Sequence, residues 1–341
     1  MKKSVLTIGG GIAGIEASNI LAGMGYTVSI IEKEASLGGK MNKWYKLFPD
    51  LRNTTEINDY LKKCLKHPNI MVFTQTEIHS VQKTGEGFFV KSNRSVNFDA
   101  NALLLTTGFD VFPAERKEEY GYMVYDNVIT SVDLEQRFKR KGPFYKAAGT
   151  VPKRIAFIHC VGSRDAKTGN HYCSKICCIT GVKQAVELRS LLPDTEIFCF
   201  YMDLRMHGLE FEEFYKTAQE KYGIQFIRGR LSEVSENIDN SLTIKCEDTL
   251  SGRPLKMKVD LAVLLIGMEP GTGTQKAARL CKVDVNRNRF LSCRDIHLNR
   301  NFSSQEGIFL AGACTGPMSI PETFDNARSA ALEIHKYLGK N

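Results

Sequence analysis

An α/β fold made of two successive parallel-sheet units is predicted by three observations. The chain opens with a strand, glycine turn, helix and strand; a second strand, loop, helix and strand begin near residue 154; and a hairpin pattern follows each. Ser4 to Ile8 reads as a short buried strand, Gly9 to Gly14 as a turn, Ile12 to Met24 as a helix and Thr27 to Glu32 as a second strand, which together form one βαβ unit. Leu51 to His67 is helical in pattern. Strands are expected at Ile70 to Phe73, Gly87 to Ser92, Ser95 to Phe98 and Ala102 to Thr106. The stretch from Gly108 to Pro152 is polar and rich in Lys, Arg and Tyr, with one helix expected at Ser131 to Arg140, and it reads as a domain boundary. Arg154 to His159 then opens the second pattern. A cysteine-rich loop follows, then a helix through Leu192, a strand at Glu196 to Tyr201, a helix at Glu210 to Tyr222 and a strand at Ile224 to Ile227. A hairpin at Ser241 to Val259 and strands at Leu261 to Ile266 and Gly307 to Ala311 precede a last helix, Pro321 to Leu338. Its small residues Ala327, Ser329, Ala330 and Ala331 suit it to pack back onto the first unit.

At 341 residues, with 43% hydrophobic and 25% charged content, the chain exceeds the size at which one core usually divides, so two domains are expected. The net charge of +8 comes from 46 basic and 38 acidic residues that are interleaved, apart from short runs such as Arg137 to Lys141, which fits a solvated surface and no nucleic-acid partner. Met1-Lys2-Lys3 before an apolar stretch imitates a signal peptide, but Glu16 interrupts that stretch, so it is expected to be structural. No run approaches the ~18 apolar residues needed to cross a bilayer, and a soluble protein with no membrane span is expected. Ten cysteines without a secretory segment point to a reducing cytoplasm, where thiols serve metals or redox chemistry.

Gly9-Gly10-Gly11-Ile12-Ala13-Gly14 contains G-x-G-x-x-G between a strand and a helix, and Glu32 ends the next strand 18 residues beyond Gly14. Gly9 permits the tight turn, Gly11 lets backbone approach a pyrophosphate at the positive helix end, and Gly14 allows close strand–helix packing. Glu32 can accept hydrogen bonds from ribose hydroxyls and repels a 2′-phosphate. A Rossmann-like dinucleotide-binding domain follows.

Three further segments give a resemblance to the FAD-binding domains of the glutathione-reductase and thioredoxin-reductase superfamily. Leu37-Gly38-Gly39-Lys40 resembles its second glycine turn, Leu105-Thr106-Thr107-Gly108 its A-T-G element, and Ile308 to Gly312 its late strand ending in Gly-Asp. The resemblance implies FAD contacts from Gly9, Gly11, Ala13 and Gly14, from Glu32 and Lys33, and from Gly38, Gly39 and Lys40. Later in the chain it implies contacts from Thr107 and Gly108, and from Gly312, Ala313 and Ile320. Ala313 departs from the pattern, standing where the superfamily carries the Asp that contacts the ribityl chain.

Cys160, Cys173, Cys177 and Cys178 form C-x12-C-x3-C-C. Four soft donors so arranged suit an iron-sulfur cluster or a structural zinc. No C-x2-C occurs, which argues against both a zinc finger and a thioredoxin-reductase-type disulfide. A redox pair of Cys177 with Cys178 stays open. Cys64, Cys199, Cys246 and Cys281 fall in expected helices or strands and read as small hydrophobes, while Cys293 and Cys314 are undecided. His159 and His171 flank the loop and read as structural residues.

Cys160-Val161-Gly162-Ser163-Arg164-Asp165, Tyr172 to Cys178, Tyr201 to Arg205 and Gly312 to Pro317 resemble heterodisulfide reductase A subunits over most of the chain. That resemblance implies a 4Fe-4S cluster on Cys160, Cys173, Cys177 and Cys178, and it implies Lys183 close to the flavin as the catalytic lysine. It also implies an FAD-dependent electron-transfer oxidoreductase working with other heterodisulfide-reductase-like subunits, as a homodimer, in sulfur metabolism. The ferredoxin-type cysteine repeats of archaeal members do not occur, so the chain resembles the short, sulfur-oxidation-type member of that family. The fold implied is two Rossmann-like, thioredoxin-reductase-like domains with a discontinuous FAD domain, residues 1–150 plus 268–341, enclosing a second domain at 151–267 that carries the cysteines. Because Cys160 to Arg164 occupies the corner where a second glycine loop would bind NAD(P), no tight nicotinamide site is expected there.

Overall fold

The computed structural model describes residues 2–140 and 151–340. The chain divides into two compact units, the first being Met1–Asn42, Thr55–Asp110 and Glu269–Asn341, the second Lys43–Thr54 and Val111–Met268. Residues 141–150, including Lys141 of the basic run and part of the expected boundary stretch, lie outside the described residues.

In the first unit, β1 (Ser4–Ile8), α1 (Ile12–Gly23) and β2 (Thr27–Ile31) form the opening βαβ, followed by α2 (Thr55–Cys64) and β3 (Ile70–Phe73). An antiparallel meander of β4 (Ile78–Lys83), β5 (Phe88–Ser92) and β6 (Asn97–Ala100) precedes β7 (Ala102–Leu105) and the short β8 (Phe109–Val111) at the unit boundary. After the second unit come α6 (Thr272–Cys281), β18 (Ile308–Leu310) and α7 (Ile320–Lys340). Strands β18, β7, β1, β2 and β3 form one parallel sheet in that order. Its central strand β1 is all but fully buried, as the run Val5-Leu6-Thr7-Ile8 requires of a strand covered on both faces. On one face α7 packs Ala327, Ala330, Ala331, Ile334 and Leu338 against Ala13, Ala17 and Leu21 of α1, the small side chains letting the helices approach closely. On the other, the meander and α6 bury Val90, Phe98, Ala277 and Cys281 against Leu103 and Leu105.

The second unit is built the same way. Its strands are β9 (Val128–Thr130), β10 (Arg154–Val161), β11 (Glu196–Tyr201), β12 (Gln225–Arg228) and β16 (Leu261–Ile266), with a meander of β13 (Leu231–Glu236), β14 (Leu242–Asp248) and β15 (Arg253–Val259), and β17 (Met268–Pro270) at the boundary. Its helices are α3 (Ser131–Arg140), α4 (Cys177–Leu191) and α5 (Phe211–Glu220). The parallel sheet runs β12, β11, β10, β16, β9. Taken from the other edge, four of its five strands match the first sheet in order, and the fifth differs, β18 ending the first unit's strands where β9 begins the second's; the repeated pattern of the sequence is a repeated architecture. Helices α3, α4 and α5 cover one face through Leu134, Phe138, Val182, Val186, Leu188 and Ala218.

The domain limits need correcting at the first crossing. The expected boundary at residue 150 assigns residues 43–54 and 111–140 to the first unit, whereas they pack in the second. The reason lies in pairing: β9 completes the second sheet beside β16, and Leu134 and Phe138 of α3 lie in that unit's core.

Candidate functional site

In a parallel sheet, ligands bind at the carboxyl ends of the strands, and three segments singled out in the sequence leave such ends in the first unit: Gly9–Gly14 after β1, Thr106–Gly108 after β7 and Gly312–Ala313 after β18. They are tied to one another. Thr106 Oγ1 donates to Gly9 O at 2.7 Å, and the Gly38 N–H donates to Gly10 O at 2.7 Å, docking the second glycine turn on the first. Gly14 admits no side chain, since a Cβ there would lie 2.0 Å from Gly9 O. A Cβ on Gly312 would meet that of Ala13 at 2.8 Å, and a Cβ on Gly39 would come within 3.2 Å of Gly11 Cα. At Gly11 and Gly108 the space is open. Helix α1 starts at Gly11 with no side-chain cap, leaving first-turn N–H groups for an anion.

Glu32 is 8% exposed and holds the loop itself: Oε2 accepts the Gly10 N–H at 2.8 Å and Oε1 the Glu34 N–H at 2.9 Å. Each carboxylate oxygen keeps a lone pair that a ribose hydroxyl can use. Residues present thus fit a dinucleotide: an uncapped helix end, open space at a glycine and a fixed carboxylate. Lys33 is half exposed and lies 3.9 Å from Glu34, away from these ties. Lys40 pairs with Asp110 at 3.3 Å and lies over the Phe109 ring. Thr107 bonds Thr274 at 2.8 Å, so Thr106 is the threonine that fastens the glycine loop. Ala313 is buried, and Ile320 is the first residue of α7. Asn326 of α7, which the sequence did not single out, accepts the Gly312 N–H at 2.8 Å.

In the second unit the corresponding corner is built differently. Strand β10 and helix α4 are joined by residues 162–176 in place of a tight glycine turn. A Cβ on Gly162 would run into the Phe112 ring at 2.1 Å, so an aromatic side chain fills the space beside that glycine. Cys160, Arg164 and Lys175 all have left-handed φ (60°, 53° and 70°), each costing about 1 kcal/mol, and such strain concentrates at functional loops. Asp165 anchors the loop, being almost fully buried between Lys117 at 2.8 Å and Arg230 at 2.9 Å and accepting the Lys167 N–H at 3.0 Å.

Cys160 is the last residue but one of β10, Cys173 lies in the loop, and Cys177 and Cys178 open α4. Cys160, Cys177 and Cys178 each feel the charge of others in the set. Burial pushes the Cys160 thiol up to about 12, with Cys178 and Cys173 adding to it and Arg164 opposing. Burial likewise drives Cys177 upward. Backbone N–H groups point at two of the sulfurs, Arg205 at Cys178 (3.4 Å) and Lys175 at Cys173 (3.3 Å). Four thiols around one corner, two of them with N–H donors on their sulfurs, have the donor chemistry that an iron-sulfur cluster needs, and its binding would release the thiol protons. Among the described residues, no group of three or more His, Cys, Asp or Glu side chains is drawn together at metal-holding geometry. His159 is buried with neither ring nitrogen hydrogen-bonded, and burial lowers it to about 3. Cys64, Cys199, Cys246 and Cys281 lie in hydrophobic cores. Cys314 is fully buried, its thiol donating to Ala311 O at 3.2 Å, so it packs inside the first unit.

Lys183 lies in the interior of the second unit, 2% exposed, donating to Glu135. Glu187, one turn on along α4, shares a helical spacing with it that the sequence displays; Glu135 comes from α3 and no local signal reveals it.

The first unit and the strand order define the class: this is the two-unit α/β fold of thioredoxin reductases. The thioredoxin reductase of T. acidophilum superposes with a TM-score of 0.67 at 16% identity over 99% of both chains, and that of Lactococcus lactis with 0.67 at 14% over 100% of both. A family model described as pyridine nucleotide-disulphide oxidoreductase matches residues 1–142. Within that class the chain is a relative of heterodisulfide reductase A subunits. It is 31% identical to the A subunit of the H(2):CoB-CoM heterodisulfide,ferredoxin reductase of Methanothermobacter thermautotrophicus, over 96% of this chain and 62% of the relative. It is also 31% identical to the iron-sulfur A subunit of the CoB–CoM heterodisulfide reductase of Methanocaldococcus jannaschii, over 97% and 64%. The chain thus spans somewhat under two thirds of the length of these relatives. Among the described residues, no helix is long and apolar enough to cross a membrane.

Proposed function

We propose that this chain is the FAD-carrying oxidoreductase component of a heterodisulfide-reductase-like complex, passing electrons between FAD and a 4Fe-4S cluster on Cys160, Cys173, Cys177 and Cys178. The observation that carries this reading is the strained cysteine loop at the strand-to-helix corner of the second unit, where a dinucleotide domain otherwise binds phosphate. Its partners are other subunits of such a complex and a second copy of itself. Its compartment is the cytoplasm and its setting sulfur metabolism, in keeping with the heterodisulfide chemistry in its relatives' names.

Bound FAD would supply paired-electron chemistry and the cluster single-electron steps. The chain's own groups position them. Gly11 and the first-turn N–H groups of α1 receive the pyrophosphate, with Ala13 and Gly14 beneath, and Glu32 receives a ribose. Gly9, Gly38, Gly39, Gly108 and Gly312 keep backbone close to the cofactor, and Lys40 lends positive charge beside it. At the thiols, the N–H groups of Arg205 and Lys175 stabilise negative sulfur, and Arg164 lowers the cost of charging Cys160. Purified anaerobically, the chain should retain about one FAD, and NADH alone should not bleach it. Rapid bleaching by NADH without a partner would overturn the reading in favour of a free-standing NAD(P)H-dependent disulfide reductase.

A further inference from the structure

Helix α4 is apolar around most of its circumference, yet Lys183, Gln184 and Glu187 lie buried in it. Glu135 of α3 meets them, also buried. Lys183 donates to Glu135 and lies 3.4 Å from Glu187. Gln184 Nε2 donates to Glu135 at 2.8 Å, and the Tyr45 N–H donates to the second oxygen of Glu135 at 2.9 Å. Glu135 therefore accepts three donors.

Glu187 differs. Neither of its oxygens is hydrogen-bonded, and neither is Gln184 Oε1. Its second cation is Lys46, 3.8 Å away and 28% exposed, which marks the route to water. The other sides of α4 are closed by β10, β11, β16 and α5, whose titratable side chains there are His159, against Gly181 and lowered to about 3 by burial, and Cys199 and Tyr215, both raised by burial. Two buried carboxylates thus share one buried lysine, and the acceptors outnumber the donors. A proton on Glu187 removes the surplus negative charge and adds the missing donor.

We propose that Glu187 is a proton store for Lys183. When Lys183 has released a proton, the Glu187 O–H bond breaks, an N–H bond forms on Lys183, and water at Lys46 reprotonates the carboxylate. One proton moves from water to the base that Lys183 protonates, and no electrons move. Burial, with the Glu135 charge adding and the two lysines partly offsetting, raises Glu187 to about 7, where a store must titrate to be both filled and emptied. Demand for the proton rests on the electron-transfer reading, in which reducing a bound cofactor draws protons; the store itself does not.

Infrared titration of the protein, with and without FAD, tests this. A protonated-carboxyl band should titrate near pH 7, shift in heavy water, and vanish in Glu187→Gln. In Glu135→Gln it should persist and titrate lower, because the charge that raises it is gone. Complete ionisation of all Glu side chains by about pH 5 in the unsubstituted protein, or survival of the band in Glu187→Gln, would overturn the proposal. FAD content separates the two ideas: a chain that lacks FAD but shows the band refutes only the electron-transfer reading, and a chain that holds FAD without the band refutes only the store.

Discussion

Gly14 is the position at which a single methyl group matters most for the nucleotide site, because its Cβ would fall 2.0 Å from a backbone carbonyl that has no freedom to withdraw. Gly14→Ala must push α1 away from the Gly9 turn, and retained FAD is expected to drop at least roughly tenfold, a loss of about 1.4 kcal/mol in binding; FAD absorbance per chain measures it, and an unchanged content contradicts the account. Glu187 makes a prediction about stability. Its folded pKa of about 7 lies above its ordinary 4.5, so between those values the folded chain binds more protons than the unfolded one. Stability is therefore lost as pH rises through this window, by about 3 kcal/mol, and the loss levels off above it. The difference in urea midpoint between the unsubstituted protein and Glu187→Gln, taken at pH 5 and pH 8, reads that slope; parallel behaviour of the two contradicts it. The glycines and Glu32 were legible in sequence because the motif is local and its spacing fixed. Asn326 and Glu135 were not, since each acts on a partner that only the fold brings near, and the sequence marked the segment of Thr106 without showing that it, and not Thr107, ties to Gly9.

Most elements could be read from periodicity, and β1, β3, β11, β16 and α3 have the bounds expected of them. Those missed have physical reasons. Strand β9 is three residues long, too short to show alternation. Helix α6 opens on Gly271-Thr272-Gly273, poor helix formers, and its Thr272 N–H is capped at 3.0 Å by Asp110, far away in sequence. Strand β13, with its mixed Leu-Ser-Glu-Val-Ser-Glu pattern, is held by pairing with β14. The cysteine loop rests on a buried ion pair, Lys117 with Asp165, both about 3% exposed or less. Lys117→Met leaves that carboxylate the half-exposed Arg230 as its one cation within 4 Å among the described residues and is expected to cost about 3 kcal/mol. Urea denaturation measures it, and a change below about 1 kcal/mol would show that the pair does not anchor the loop.

At the scale of the whole molecule, two sheets that share the order of four strands differ at the same kind of corner: glycines and an open helix end after β1, a strained loop with thiols after β10. The doubling was legible because each half repeats a strand, helix and strand before its meander. The crossing near residue 110 was not, because β9 and α3 look local in sequence yet complete the second sheet and core. The chain spans somewhat under two thirds of the length of its relatives. The central claim is that this second corner holds an iron-sulfur cluster while the first unit holds FAD. Iron, acid-labile sulfide and FAD per chain, measured on anaerobically purified protein and followed by electron paramagnetic resonance after dithionite reduction, test it most directly. About four irons, four sulfides and one FAD, with a reduced-cluster signal lost in Cys177→Ala, are predicted; FAD with zinc, or FAD with no metal, would contradict it.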